Sequence, residues 1–232
     1  MKLIPLLILL IVSLFEPSQP FKTETKWVTD AKGKKLKKEE IKEYNSQGDV
    51  IKWVQYTDFG PPQPICEVFT YSYKNTSKIK KTAAFCNGKI EGTTIYTYDN
   101  LGRLKEEIEY DETHQLVAKR LNIYKGNSKN KAATEFYGTD GKKSSVSAFE
   151  YYPNNLLKKE VQAAGGSWFQ RQTYKYDNNK HLIYEDTEGD GGVGAVGIVK
   201  YYYTYQGDVL VKDVVKLPDN GTEYHVYETV RN

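Results

Sequence analysis

Two cysteines, one methionine and eight prolines in 232 residues leave this chain few chemically distinctive side chains. Metal binding by two cysteines alone is excluded. A dominant charge is also missing. Thirty-three basic residues against 30 acidic ones give a net charge of +3, intermixed along the chain, so the basic stripe of a nucleic-acid binder is absent. KGKKLKK at 32–38 is the one basic run and reads as the exposed start of the first repeat. No stretch has the apolar periodicity of a long amphipathic helix. Neither a metal-ligand histidine pair nor a nucleophile beside a base can be found, so no catalytic, cofactor-binding or metal site is expected. His114, His181 and His225 stand apart, and His181 falls at a turn position that should face solvent. EDTEGDGGVGAVG at 185–197 carries Glu185, Asp186, Glu188 and Asp190 but fits no EF-hand spacing, and reads as a long flexible loop.

One apolar run exists, 13 residues from Leu3 to Phe15, after a single lysine and before Glu16, Pro17 and Pro20. It is shorter than the about 20 residues of a membrane-spanning helix. Residues 1–20 therefore read as a secretory signal peptide, with an uncleaved anchor as the alternative. Residues 21–232 form a single domain, exported to the periplasm or beyond the cell.

What the chain has in quantity is tyrosine, 20 residues against eight phenylalanines. A thick sandwich core would favour Val, Ile, Leu and Phe. Tyr keeps a hydroxyl that needs water or a partner, which favours a thin sheet with half-wet faces. The tyrosines are periodic. YTYDNLGRL at 96–104 places Tyr96 and Tyr98 on one face of a strand, then a turn in which Asp99 can cap and Gly102 can take positive φ. Related turns follow Tyr44, Tyr73, Tyr124, Tyr151, Tyr176 and Tyr205. With Tyr98 these anchors are 29, 25, 26, 27, 25 and 29 residues apart. About seven units of ~27 residues follow, each a β-hairpin. The expected fold is all-β: tandem antiparallel hairpins forming one long curved, twisted sheet.

The hairpin register makes a prediction about the cysteines. If Tyr73 faces Ile79, residues whose numbers sum to 152 lie opposite, and Cys66 and Cys86 do so. In an exported chain that pairing reads as a disulfide. Its closed loop of some 20 residues would contribute about 3 kcal/mol in the chain-entropy picture. Trp27, Trp53 and Trp168 are the candidate contact residues should a partner bind, since Trp is enriched at binding surfaces.

YTYDNLGRLKEEIEY (96–110) and YKYDNNKHLIYE (174–185) resemble the YD repeat of the RHS family. FEYYPNNLLKKE (149–160) and FYGTDGKK (136–143) are similar to MORN-type variant repeats. The resemblance spans about residues 41–216 and implies hairpins joined edge to edge, without family catalytic residues. The expected function is a non-enzymatic scaffold or binding module at the cell envelope, with a protein or polysaccharide partner and no cofactor. An immunity or antitoxin-like partner of a toxin, or a carbohydrate-active enzyme, are the alternatives. Membrane contact is expected only through an uncleaved leader.

Overall fold

The structure, a computed structural model, describes residues 20–57, 65–75, 77–165, 167–190 and 196–231. The expected signal peptide, Pro20 apart, lies outside them. The described residues form sixteen strands: β1 (Lys22–Thr29), β2 (Lys35–Tyr44), β3 (Val50–Thr57), β4 (Ile65–Lys74), β5 (Ser77–Phe85), β6 (Ile90–Tyr98), β7 (Leu104–Asp111) and β8 (Leu116–Tyr124), then β9 (Lys131–Tyr137), β10 (Lys143–Tyr151), β11 (Leu157–Ala164), β12 (Ser167–Tyr176), β13 (Leu182–Asp190), β14 (Val196–Gln206), β15 (Val209–Lys216) and β16 (Thr222–Arg231).

Each strand pairs antiparallel with the next, and β1 pairs with β16 from Lys22↔Arg231 to Thr29↔Tyr224. The sheet is therefore a closed barrel, which corrects the open curved sheet expected from sequence. The reason is physical. An open array leaves two edge strands with unsatisfied N–H and C=O groups, and joining them to each other removes both edges. Seven hairpins, β2–β3 to β14–β15, turn at the seven anchors, and β1 and β16 complete the circuit. The seven tyrosine anchors precede the seven turns of one rim, called the near rim below. The eighth position on that rim is the β1–β16 seam.

Near-rim turns are built as their residues require. Asp99 Oδ1 accepts from the backbone N–H groups of Leu101 and Arg103, each at 2.9 Å, while Gly102 takes φ 73°. Asp177 caps Asn179 and His181 in the same way, and Asn45 caps Gln47 and Asp49. At each of the seven anchors the ladder slips by one residue, immediately before Tyr44, Tyr73, Tyr98, Tyr124, Tyr151, Tyr176 and Tyr205. Such bulges bend and twist the sheet, and one per hairpin curls it towards closure. The slip also corrects the local register. Tyr73 faces Lys78, with Ile79 the extra residue, and the sum of 152 holds only from Ser72↔Lys80 onwards.

Cys66 and Cys86 are nonetheless opposite one another and form a disulfide, with Cα atoms 5.4 Å apart. The bulge lies between them and the turn, so it leaves their pairing intact. Another expectation fails at 185–197. β13 runs on to Asp190 and β14 starts at Val196, so only 191–195 lie outside the strands and outside the described residues. Alternation explains it: Glu185 and Thr187 point to one face, Asp186 and Glu188 to the other, and both sets find cross-strand partners.

Burial identifies the concave face. Thr94, Tyr96, Asn122, Thr134, Ser147, Asp213, Val215 and His225 are buried, and ladder pairs such as Asn122↔Thr134↔Ser147 put them on one side. Ile123, Ile198 and Tyr202, on the other side, are exposed. Only Val54, Tyr96 and Val215 are buried apolar residues among those described, and Val54 sits on the outer wall between Ile41 and Val68. Each strand contacts its two ladder neighbours alone. Sixteen strands suffice to enclose an aqueous lumen. The barrel is a wall one sheet thick, with few buried apolar side chains among the described residues.

Removing the disulfide by Cys66→Ala with Cys86→Ala should lower stability by about 2–4 kcal/mol and leave the β signature intact. Thermal melts followed by circular dichroism check this. An unchanged melt would show that the near-closed β4–β5 ladder holds that hairpin without the bond.

Candidate binding surface

Alternation carries the near-rim tyrosines into the lumen. Thr94 and Tyr96 lie on the concave face, so Tyr98 does too. Tyr71 shares that face through Tyr71↔Lys81↔Thr94. The seven anchors thus form an inward ring at one mouth. Two residues deeper, Tyr71, Tyr96, Tyr174 and Tyr203 continue it, interspersed with Lys42, Asn122 and Phe149.

The anchor hydroxyls explain why the ring is tyrosine rather than phenylalanine. Tyr98 donates to Lys78 O at 2.7 Å, Tyr73 to Val50 O at 2.7 Å and Tyr124 to Leu104 O at 2.9 Å. Tyr151 bonds the Lys131 backbone likewise. Each ring lies across the adjoining strand and ties its hairpin to the one before. A carbonyl beside a bulge has lost its ladder partner, and the phenol supplies one. Burial pushes these phenols up, and Tyr71 behind them to about 12, so the ring is neutral at physiological pH.

Deeper in the lumen Glu185 accepts from Tyr203 at 3.3 Å, and Tyr201 and Tyr203 stack with centroids 6.4 Å apart. Burial pushes the Glu185 carboxyl up. Beyond them, at the seam, lies a buried charge cluster. His225 Nδ1 bonds Asp213 Oδ1, and Tyr227 donates to Asp213 Oδ2 at 3.0 Å. Lys26 lies 3.8 Å from Asp213 and 2.9 Å from Glu39. The far nitrogen of His225 faces carboxylates, Glu39 at 3.4 Å and Glu223 at 4.0 Å. Burial raises the Asp213 carboxyl, but His225, Lys26 and Tyr227 outweigh it and hold it below its usual value. Burial likewise lowers Lys26, and Asp213 and Glu39 reverse that. Four strands, β15, β16, β1 and β2, contribute, so the cluster spans the non-covalent closure. The sequence marks it only by an aspartate inside the apolar strand VLVKDVVKL and a histidine in HVY.

The three tryptophans do not converge. Trp53 faces the lumen, its indole donating to Glu40 at 2.9 Å and its ring tilted on Phe69 at 5.5 Å. Trp27 is on the outer wall, donating to Glu228 at 2.9 Å beneath Lys35 and Lys38. Trp168 pairs its backbone with Ala163 in β12, and its side chain lies outside the described residues. His181 is not the free turn residue expected. Its ring bonds Asp177 at 3.1 Å and Asp208 at 3.0 Å and stacks on Tyr205 at 4.6 Å. Among the described residues no group of three or more His, Cys, Asp or Glu is arranged to hold a metal.

Neither a family model nor a curated protein matches this chain. Solved structures do. A porin-like protein from Bacteroides uniformis is similar over 91% of this chain and 98% of its own, at 13% identity and TM-score 0.59. That likeness is one of fold: a barrel of the same extent. A porin-like protein from Bacteroides vulgatus aligns over 90% of this chain and 98% of its own, at 10% identity and TM-score 0.37. The Photorhabdus luminescens Tc holotoxin pore aligns over 87% of this chain but only 13% of its own, at 14% identity and TM-score 0.35.

Two substitutions separate the rim from the seam. Tyr98→Phe should cost about 1 kcal/mol, one net hydrogen bond, with little change in the ring, as read by chemical denaturation. Asp213→Asn, which strips a buried charge cluster of its anion, should cost about 3 kcal/mol or more. Asp213 is depressed in the fold, so its contribution is present above its unfolded value near about 3.9 and is lost as pH falls through the folded value. The melting temperature of the wild type should therefore drop steeply below about pH 4, and that of the variant less so. Parallel pH profiles would place the acid sensitivity elsewhere.

Proposed function

We propose that this chain is an exported, non-enzymatic barrel of the cell envelope that acts as a binding module, with the tyrosine-lined mouth and lumen as its working surface. The observation that carries the reading is the inward ring itself: seven anchor tyrosines share the concave face at one mouth of the barrel. Tyrosine combines a large apolar area with a polar tip at little conformational cost, which suits contact surfaces. The disulfide supports an oxidising compartment.

Charge on the outer wall supports a watery setting over a lipid one. Lys119–Glu106, Lys159–Glu150, Lys143–Glu135 and Lys52–Glu43 are ion pairs across neighbouring strands on that wall. A lipid-facing wall carries an apolar band about 25 Å tall, and a Lys or Arg at its midplane costs about 2–4 kcal/mol. In water the same pairs are nearly neutral to stability. Among the described residues the His225–Asp213 pair faces further carboxylates rather than a nucleophile, which favours a non-enzymatic reading.

Expression of the full chain with its own leader in a bacterial host should yield a soluble envelope-fraction protein. Its intact mass should be lower by about 20 residues, with two thiols protected until reduction. Unprocessed cytosolic protein with both thiols free would sink the exported reading. Recovery only in carbonate-resistant membranes would sink the watery one.

A further inference from the structure

Four near-rim turns, at 45–49, 99–103, 152–156 and 177–181, share one backbone form, and the third of them borders a groove. Arg103 closes its turn and reaches the next one, donating to Gly126 O at 2.7 Å and Ser128 O at 2.8 Å. His181, at the same position of its own turn, bridges to Asp208 and stacks on Tyr205. From the turn between β8 and β9, Asn130 reaches Asn155 of the next turn at 3.1 Å. The turn at 152–156 has the same backbone form: Tyr152 N–H donates to Leu156 O and Asn155 N–H to Tyr152 O, matching the bonds between Asp99, Arg103 and Gly102. Leu156 thus stands where Arg103 and His181 stand, and a leucine cannot hydrogen-bond to the next turn. A groove of about 620 Å³ opens there, between the 152–156 and 177–181 turns. That volume is typical of small-ligand sites.

We infer that this groove is a saccharide subsite for a carboxylated sugar. The inference deepens the binding-module reading and rests on it. The walls are Tyr152, Pro153, Leu156 and Tyr176, and the two tyrosines meet edge to face with centroids 6.3 Å apart. The Tyr152 hydroxyl is committed to Tyr174 O at 3.0 Å, so the ring is held in place and offers its apolar body. A pyranose has C–H faces that suit such walls. Polar groups ring the groove: Asn154, Asn178, Lys175 and Lys180. Carboxamides match sugar hydroxyls and the Lys180 ammonium matches a carboxylate, while Lys175 holds its own ammonium over the Tyr184 ring at 4.8 Å. Asp177 also lines the groove, with its hydrogen-bonding capacity, though not its charge, taken up by the Asn179 and His181 backbone and the His181 ring. A peptide strand has no place to add, since the barrel leaves no unpaired edge.

The test restores the missing bridge. Titration calorimetry of the folded protein with trigalacturonate should give saturable binding that weakens as salt is raised, with maltotriose binding at least about tenfold more weakly. Leu156→Arg, which places an arginine where Arg103 already fills its own gap, should lose about tenfold or more in affinity while melting no lower than the wild type. Lys180→Ala should lose the salt dependence. Absence of saturable binding to trigalacturonate, equal affinity for maltotriose, or unchanged affinity in Leu156→Arg would each overturn the assignment. Export plays no part in this measurement, so its failure removes the ligand class and leaves the envelope reading to its own test.

Discussion

Backbone pairing around a closed circuit is the constraint on which the rest of this molecule depends. With three buried apolar side chains among the described residues, no central core holds the strands. Each is fixed by two ladders and by what its side chains do to neighbours. A gap in the circuit would expose two long edges, and the same ladder bonds would then be available to other chains. The buried cluster of Asp213, His225, Lys26 and Glu39 lies across the one junction that no turn connects. A buried ion cluster is a weak source of stability and a better source of register. At a seam, register is what is needed, since a one-residue slip would exchange the lumen and the outer wall.

The tyrosine ring joins architecture and surface in one residue. At Tyr73, Tyr98, Tyr124 and Tyr151 the phenolic oxygen bonds a carbonyl beside a bulge, and the ring forms the wall of the mouth. The two roles do not compete, because they use opposite parts of the side chain. Near-rim side chains then vary from turn to turn, filling the space between hairpins with Arg103, His181 or Asn130 and leaving it open at Leu156. Framework and variation are separated within a repeat of about 27 residues.

The hairpins, their period, the shared face of Tyr96 and Tyr98, the capping by Asp99 and the pairing of Cys66 with Cys86 were legible in the residues, because all are local. Closure was not. Whether a repeat array ends open or joins itself depends on accumulated twist and on bulges, each a one-residue event that periodicity does not record. The slip between Ser72 and Tyr73 is such an event. The 185–197 segment was misread because glycine and carboxylates imitate loop composition, whereas its alternation was that of a strand. His225 was missed because its partners come from three other strands, and Asp213, Lys26 and Glu39 share no spacing with it. The tryptophans illustrate the reverse error: residue type suggested one surface, and the pleat sent Trp27 and Trp53 to opposite sides of the wall.

The bulge-and-tyrosine hairpin has a consequence for size. A chain that closes by pairing its first strand with its last, antiparallel, must contain an even number of strands. Gain or loss of one repeat keeps that parity and alters the circumference by two strands, about 10 Å of wall. Bore is therefore a stepped quantity, set by copy number rather than by side-chain substitution. Point changes can tune the chemistry of the mouth, whereas duplication or deletion of a whole hairpin changes the circumference of the wall itself.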